Sequence, residues 1–317
     1  MVLENIKKAL LSIPEVSGWP EMVDLITPLT DPGSKPCWEY PPLACQAAGG
    51  RKEQALPGAA AVLCLIQSMH LVDDMLDEDP RGLHHQLGPG KVANLALALQ
   101  AASSRVIEDA GLPPEIRALI HGSLAKAALG TAYGQDLDAG TLEGEENYWR
   151  IVEAKTPPLF GTAMFIGAVL GGSPASTADR IERLGFLIGM MIQVSDDLKD
   201  AMETPARPDW RRKWNNLPIL YAMTAEHSER SRFSDLLSRI EEPEALAAAQ
   251  EILFRCGAVS YCTYRVIEFY RNARENFEGI PLANPEPIDE LLSELVEPLK
   301  SLFRSIGVES PEELLGE

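Results

Sequence analysis

Residues 59–76 read AAAVLCLIQSMHLVDDML, an apolar run whose hydrophobic residues recur at helical spacing and which ends in acidic residues. This spacing predicts an α-helix, and the alternation of apolar and polar residues that is typical of strands is almost absent from the chain. Further long stretches with helical periodicity are 90–110, 113–139, 178–202 and 264–279. The sequence therefore predicts an all-α fold.

The length of these helices indicates how they are arranged. Helices of globular proteins average about 11 or 12 residues, and longer ones favour a helical bundle with its site at the centre. The Pro-rich stretches 28–42 and 203–210 are typical of loops, and no Gly-, Ser- or Pro-rich linker is long enough to separate domains. We therefore expect residues 1–317 to form a single domain, a helical bundle around a central cavity.

Composition limits the classes of function. The chain has 28 Lys and Arg against 47 Asp and Glu, a net charge of −19, which disfavours nucleic acid or an anionic membrane as a partner. The five cysteines form no CxxC pair, which fits a reducing cytosol. The N-terminus lacks a signal-peptide pattern, and the apolar run 158–172 is too short and Gly-rich to span a bilayer. We expect a soluble, cytoplasmic protein without an integral membrane segment.

Acidic residues occur in two sets of identical spacing. Each set follows an apolar helical run and forms a DDxxD motif: Asp73, Asp74 and Asp77, and Asp196, Asp197 and Asp200. On a helix the first and last aspartates of such a motif lie one above the other. Carboxylates this close repel one another unless a cation intervenes, and Mg²⁺ prefers carboxylate and phosphate oxygens as ligands. We predict that all six aspartates bind Mg²⁺ and act in catalysis on a diphosphate substrate.

Together with these motifs, further segments make nearly the whole chain resemble the trans-isoprenyl diphosphate synthases, also called polyprenyl synthetases. The segments are YGQDLDA (133–139), EAKTPPLFGTAMFIGAVLGG (153–172), GMMIQVSDDLKD (189–200) and RRKWNNLPILYA (211–222). The resemblance implies an isoprenoid-synthase fold in which the two motifs face each other across a central cavity. It also implies a reaction that depends on three Mg²⁺ ions, and a homodimer.

The resemblance assigns roles to single residues as well. Residues expected to bind substrate are Arg81, Gln135, Lys155, Thr156, Gln193 and Lys213. Lys155 is expected to act in catalysis too, because its ammonium also meets the departing diphosphate. Ser68 and Met69, about one helical turn before Asp73, are expected to set a cavity depth for chains of about 15 to 20 carbons.

The sequence departs from the family where isopentenyl diphosphate binds. The family's Gly-Gly-Lys-Arg-x-Arg stretch is replaced by DPGSKPCWEYPPLACQAAGG (31–50), in which Lys35 is the one remaining cation. Ile66 stands where the family has His or Gln, and Arg81 remains alone of an Arg pair. Because a diphosphate needs charge-assisted contacts, this site is either damaged or rebuilt. Candidates for a rebuilt site are Arg51, Lys52 and His70.

Three hypotheses on function follow. The family favours Mg²⁺-dependent prenyl transfer from an allylic isoprenoid diphosphate to isopentenyl diphosphate. The departures favour a class I terpene synthase, which ionises one allylic diphosphate and lets the double bonds of the same substrate quench the cation. A non-catalytic partner subunit of a prenyl synthase is the third hypothesis, but such a subunit has no need of six costly carboxylates. We expect prenyl transfer, with the terpene synthase as the alternative.

Overall fold

A computed structural model describes residues 2–30, 37–140, 142–212, 214–305 and 315. Within these residues the regular structure is helical and no strand occurs, which confirms the all-α prediction. The α-helices are α1 (Val2–Leu11), α2 (Pro14–Ser17), α3 (Pro20–Leu29), α4 (Tyr40–Ala47), α5 (Leu56–Leu76), α6 (His84–Leu87), α7 (Pro89–Glu108), α8 (Pro114–Asp138), α9 (Glu145–Lys155), α10 (Pro157–Leu170), α11 (Ala175–Met202), α12 (Asp209–Arg212), α13 (Leu217–Thr224), α14 (Arg230–Leu237), α15 (Pro243–Arg255), α16 (Ala258–Glu278) and α17 (Glu286–Ser305).

The helices predicted from periodicity are all present, as α5, α7, α8, α11 and α16, although α16 begins at Ala258 rather than at residue 264. The loop prediction for residues 28–42 is wrong at both ends, because α3 continues to Leu29, and the prediction for 203–210 is wrong from Asp209, where α12 begins. Residues Cys37–Glu39 form a 3₁₀ helix and α4 begins at Tyr40. Pro41 and Pro42 stand in the first turn of α4, where the missing proline N–H has no helical partner to lose.

The chain forms two compact units, each built from three segments. Unit 1 comprises Met1–Ala132, Pro158–Phe186 and Glu275–Leu295, and unit 2 comprises Tyr133–Pro157, Leu187–Arg274 and Val296–Glu317. Each unit has its own buried apolar residues. The prediction of a single domain over residues 1–317 stays a prediction.

Unit 1 has α5 at its centre. Every residue from Gly58 to Ile66 is buried, which is typical of a helix surrounded by other elements on all sides. The helix packs along α7 and also contacts α1 and α4. A Cβ atom at Gly58 would lie 2.5 Å from the side chain of Ile166 in α10, so the glycine permits close helix packing. This core fixes the C-terminal end of α5, which carries the first DDxxD motif.

The segment Lys52–Leu76 is long and apolar enough to cross a bilayer by length and composition. However, 72% of its most apolar window is buried inside the protein. The core helix of a soluble protein passes the same test, so the apolar character of this segment is accounted for by its central position in unit 1.

Unit 2 contains a second apolar core. Residues of α11 to α16 contribute to it, and α13, α14 and α15 pack against one another. Trp210 is fully buried there, with its ring centroid 6.2 Å from that of Phe233. The side chain of Asn216 caps α13 by accepting a hydrogen bond from the Ile219 N–H at 3.4 Å. Ala201 of α11 belongs to the same core, so the helix that carries the second DDxxD motif is anchored in it.

Candidate active site

The first DDxxD motif lies where α5 ends. Asp73 and Asp74 belong to its last turn and Asp77 is the C-cap, whose N–H donates to the Asp73 carbonyl oxygen at 2.8 Å. Glu78 follows with a positive φ of 51°, which ends the helical run. All three aspartates are half-buried, and carboxylate oxygens of Asp73 and Asp77 lie within 4.8 Å of each other. The i, i+4 spacing thus produces a pair of adjacent carboxylates.

Negative charge is crowded at this helix end. Burial raises the pKa of the Asp74 carboxyl, and the carboxylates of Asp79 and Asp73 raise it further, whereas His70 and His84 lower it. A bound cation relieves such repulsion, and the donors here are all oxygen atoms, which Mg²⁺ prefers. The first motif therefore fits the predicted metal.

Arg81 follows the first motif and is held by a neighbouring carboxylate. Its backbone N–H donates to Oδ1 of Asp79 at 2.8 Å, while its Nε and Nη2 donate to Oδ1 and Oδ2 at 3.2 and 2.9 Å. The Arg81 side chain is nevertheless 66% exposed. These two side-chain hydrogen bonds fix the direction of the Arg81 guanidinium within the loop. The predicted contact of Arg81 with a diphosphate stays a prediction.

The two residues predicted to set the cavity depth are buried in α5. Ser68 and Met69 are 2% and 6% exposed, about one turn before Asp73. Both a cavity wall and a packed core require such burial. Their role in chain length therefore stays a prediction.

The second DDxxD motif has the same spacing but three different environments. Within α11, Asp196 is exposed, Asp200 is half-buried, and Asp197 is only 3% exposed. Because each helical residue turns by about 100°, Asp196 and Asp200 lie on the same side of Asp197. One face of α11 therefore presents two carboxylates, whereas the third carboxylate lies inside unit 2.

Asp197 is bound by donors from three helices. Its Oδ2 accepts from the Tyr148 hydroxyl of α9 at 2.6 Å and from the Leu217 N–H of α13 at 2.9 Å. Its Oδ1 accepts from Nε2 of Gln193, one turn earlier in α11, at 2.9 Å. Burial raises the pKa of Asp197 to about 7, although these hydrogen bonds act in the opposite direction. Asp197 therefore has different contacts from Asp196 and Asp200, and its predicted binding of the metal stays a prediction.

Asn216 adds a further contact to the segment around Asp197. Its Nδ2 donates to the Asp197 carbonyl oxygen at 2.9 Å and to Oδ2 of Asp209 at 3.1 Å. Burial raises the pKa of Asp209, and the charge of Asp200 raises it further. Sequence reasoning missed Asn216, although an Asn directly before Leu-Pro is a readable N-cap signal.

Thr156 and Gln193, both predicted to bind substrate, lie together in unit 2. The Thr156 hydroxyl donates to Oε1 of Gln193 at 2.6 Å. Asp197 determines which way the Gln193 amide points, because a carboxylate accepts hydrogen bonds and must face Nε2. A chain of hydrogen bonds therefore runs from Thr156, the C-cap of α9, through Gln193 to Asp197.

Lys155 forms an ion pair with little exposure to solvent. Its Nζ lies 2.6 Å from Oδ2 of Asp138, and the two side chains are 20% and 9% exposed. Asp138 is itself held, since its carbonyl oxygen accepts from Nδ2 of Asn215 at 2.8 Å. Gly134 lets α8 and α9 meet backbone to backbone, because a Cβ there would lie 2.6 Å from the Lys155 nitrogen. The position of this cation is therefore determined by the packing of two helices.

Sequence reasoning also missed Arg207 and Tyr148. The Nε of Arg207 lies 3.5 Å from Oδ1 of Asp200 and 3.4 Å from Oε2 of Glu203. Tyr148 precedes Lys155 by seven residues, which places both on one face of α9. That spacing was a usable signal for Tyr148, whereas the loop that carries Arg207 has no periodicity to read.

The remaining predicted residues are Gln135, Lys35 and Lys213. Gln135 is 4% exposed in α8, three residues before Asp138. Lys35 and Lys213 lie outside the described residues. The contacts of all three with a substrate stay predictions, as does the arrangement of the two motifs across one cavity.

Comparison with known proteins identifies the family of this chain. The family model for polyprenyl synthetase matches residues 29–253, well over half of the chain. This chain belongs to the polyprenyl synthetase family. The family resemblance of the sequence is thereby confirmed, and so is the helical fold of the isoprenoid synthase type.

Two relatives of this chain are named as prenyl diphosphate synthases. A short chain isoprenyl diphosphate synthase of Methanothermobacter thermautotrophicus is 29% identical over 252 residues, covering 74% of this chain and 77% of the relative. A geranylgeranyl pyrophosphate synthase of Geoglobus acetivorans is 28% identical over 251 residues, covering 75% and 78%. These relatives confirm the prediction of a prenyltransferase.

Solved structures share the fold of this chain. The geranylgeranyl pyrophosphate synthetase of Pyrococcus horikoshii has a TM-score of 0.78 at 20% identity, covering 93% of this chain and 95% of that one. The geranylgeranyl pyrophosphate synthetase of Geoglobus acetivorans has a TM-score of 0.72 at 24% identity, covering 94% and 99%. At these identities the likeness is one of fold.

Proposed function

We propose that this protein transfers a prenyl group from an allylic isoprenoid diphosphate to isopentenyl diphosphate in an Mg²⁺-dependent reaction. The main support for this proposal is a set of contacts between α9 and α11 in unit 2. The cation Lys155 and the adjoining Thr156 are joined through Gln193 to the helix that presents Asp196 and Asp200. A positive group for diphosphate oxygens and carboxylates for a metal are therefore held on neighbouring helices.

Mg²⁺, as three ions, is the proposed cofactor. Asp73 and Asp77 of the first motif are proposed ligands because their carboxylate oxygens lie within 4.8 Å of each other. Asp196 and Asp200 of the second motif are proposed ligands because they are at least partly accessible and lie on one side of α11. When bound with the diphosphate, Mg²⁺ stabilises the negative charge that develops on the leaving group. Asp74 lies beside the first pair and adds to its negative charge, and its own contact with Mg²⁺, like that of Asp197, stays a prediction.

Lys155 is the proposed partner of the allylic diphosphate. Its low exposure strengthens electrostatic contacts relative to those in water. Asp138 keeps the ammonium in place at 2.6 Å before substrate binds. As the allylic C–O bond breaks, the bonding pair leaves with the diphosphate, and the contact with Lys155 becomes stronger as that charge grows.

Thr156 and Gln193 are proposed to orient this part of the site. Thr156 donates its hydroxyl proton to Gln193, and Gln193 donates in turn to Asp197. The Thr156 hydroxyl has one proton, and in this structure it is donated to Gln193, which holds α9 against α11. The contact of Thr156 with a diphosphate stays a prediction.

Isopentenyl diphosphate is the proposed acceptor. Its double bond attacks the allylic carbocation, and a proton is then lost from the adduct. Arg81, Lys35, Lys213 and Gln135 are the proposed further substrate contacts. Ser68 and Met69 are proposed to limit the chain to about 15 to 20 carbons, with Met69 as a flexible filler of the pocket.

A class I terpene synthase is the alternative, and the loss of family cations around Lys35 is the sequence feature that favours it. Relatives that are named as prenyl diphosphate synthases support transfer instead. A non-catalytic partner subunit is least compatible with two complete DDxxD motifs. We also propose a cytoplasmic homodimer.

Product analysis tests this proposal. The purified protein is incubated with MgCl₂ and geranyl, farnesyl or geranylgeranyl diphosphate, with and without isopentenyl diphosphate, and products are identified by mass spectrometry. We expect a diphosphate product five carbons longer only when isopentenyl diphosphate is present, and none with EDTA. A hydrocarbon or alcohol formed from the allylic diphosphate alone would establish the terpene synthase instead.

A further inference from the structure

Tyr148 is a buried residue with no part in the chemistry proposed above. It is 1% exposed in α9, and its hydroxyl donates to Oδ2 of Asp197 at 2.6 Å. A phenylalanine would fill nearly the same volume, so packing alone does not require the hydroxyl. The hydroxyl instead supplies a charge-assisted hydrogen bond to a carboxylate that has almost no access to water.

This hydrogen bond joins two helices that carry charged site residues. On α9, Tyr148 and Lys155 are seven residues apart and lie on the same face. On α11, Asp196 and Asp200 lie together on one side of Asp197. A fixed contact between Tyr148 and Asp197 therefore sets the rotation of both helices, and with it the directions of the cation and of the two carboxylates.

A second link, between Thr156 and Gln193, lies at the other end of α9. Two separated contacts fix both the rotation of a helix about its axis and its position along that axis. The Gln193 amide also binds Asp197, so both links end on the same buried carboxylate. Asp197 is thus the common anchor of α9 and α11.

We propose that Tyr148 is a positioning residue that acts through Asp197 to hold Asp196, Asp200 and Lys155 in the geometry that binds Mg²⁺ and diphosphate. The inference rests on the proposed function of these three residues. Partners that orient metal ligands typically change metal affinity by about 10- to 100-fold when they are removed. Tyr148 and Asp197 would then control binding although neither touches the metal or the substrate.

Calorimetric titration of the full-length protein with inorganic diphosphate, at several MgCl₂ concentrations, tests the proposal without relying on turnover. Tyr148→Phe should raise the apparent Kd by about tenfold and require more Mg²⁺ for half-maximal binding. Tyr270→Phe is the matched control, because Tyr270 is fully buried in α16 of the same unit. This control should bind within about twofold of the parent, whatever its melting temperature.

Asp197→Asn is the second variant. The Asn oxygen still accepts from Tyr148 and Leu217, and a flip of the Gln193 amide satisfies the new amide group, with Thr156 then accepting. This variant should therefore bind Mg²⁺ and diphosphate within about threefold of the parent, whereas Asp196→Asn should lose binding by about 100-fold. If Tyr148→Phe does not fold, this pair of variants decides the question.

The outcomes separate the two proposals. Parent-like binding by Tyr148→Phe, or equal weakening in Tyr270→Phe, overturns the positioning role. Loss of binding in Asp197→Asn as large as in Asp196→Asn overturns it as well, because Asp197 is then a ligand. A parent that binds Mg²⁺ and diphosphate but forms no prenyl product refutes the proposed reaction alone, and a parent that binds neither refutes both proposals.

Discussion

The two DDxxD motifs have identical spacing in the sequence but different surroundings in the protein. In the first motif all three aspartates are half-buried at the end of α5. In the second, Asp197 is 3% exposed and accepts hydrogen bonds from Tyr148, Gln193 and Leu217. A repeated motif therefore does not imply that its residues have the same roles. Two carboxylates of the second motif are presented outward because the third is anchored inside.

The largest expected effect concerns the proposed metal ligands of both motifs. Asp73→Asn and Asp196→Asn should each lower kcat by about 100-fold or more, because each removes a proposed metal ligand from the leaving-group site. Circular dichroism should remain that of a helical protein. Asp235→Asn, on the exposed surface of α14, is the control. Near-parent turnover of both motif variants at saturating Mg²⁺ would show that Asp73 and Asp196 are not essential metal ligands.

The middle aspartates of the two motifs, Asp74 and Asp197, should contribute differently to the free energy of unfolding. Asp197→Ala leaves the donors of Tyr148, Gln193 and Leu217 without an acceptor and should lower the free energy of unfolding by about 2 to 4 kcal/mol. Asp74→Ala removes a carboxylate that its neighbours repel and should change it by less than about 1 kcal/mol. Urea denaturation of both variants measures the difference. Equal losses would remove the distinction drawn between the two motifs.

Lys155 provides a test inside unit 2 alone. Lys155→Ala should raise the KM for the allylic diphosphate and lower kcat, together reducing kcat/KM by about 10- to 100-fold. Lys199→Ala is matched to it, since Lys199 belongs to α11 but its side chain is 69% exposed. In steady-state kinetics with both substrates, Lys199→Ala should keep the kcat and KM values of the parent. If Lys155→Ala raises only the KM for isopentenyl diphosphate, Lys155 binds that substrate and its proposed contact with the allylic diphosphate is wrong.

The smallest effect is expected in the apolar part of α5, before the first motif. Met69→Ala should lengthen the main product by about one five-carbon unit, and Ser68→Phe should shorten it, because both lie about one turn before Asp73. Mass spectrometry of the products gives the chain length. If both variants lose thermal stability but keep the parent's product, the two residues are core residues of unit 1.

The sequence predicts the fold well because the helices carry their own local signal. The apolar periodicity of α5 and α11 is visible without any neighbour, and the two DDxxD motifs follow from spacing alone. The loop predicted over 28–42 fails where prolines stand at the start of α4, since proline disfavours the interior of a helix but not its first turn.

The internal organisation of the site is what the sequence does not contain. Asp197 is bound by Tyr148 and by the Leu217 N–H, which lie 49 and 20 residues away in the chain. Periodicity defines the faces of a helix, but which face is buried depends on the helices that pack against it. For this reason Asp196, Asp197 and Asp200 looked equivalent, and Tyr148 and Asn216 were missed.

A crystal structure determined with Mg²⁺ and inorganic diphosphate would show directly whether Asp73, Asp77, Asp196 and Asp200 hold the metal while Asp197 anchors the site. We expect metal-to-oxygen distances of about 2.0 to 2.1 Å at Asp73, Asp77, Asp196 or Asp200, with the Tyr148 hydroxyl still donating its hydrogen bond to Asp197. Mg²⁺ coordinated by Asp197, with the Tyr148 hydrogen bond broken, would contradict this expectation.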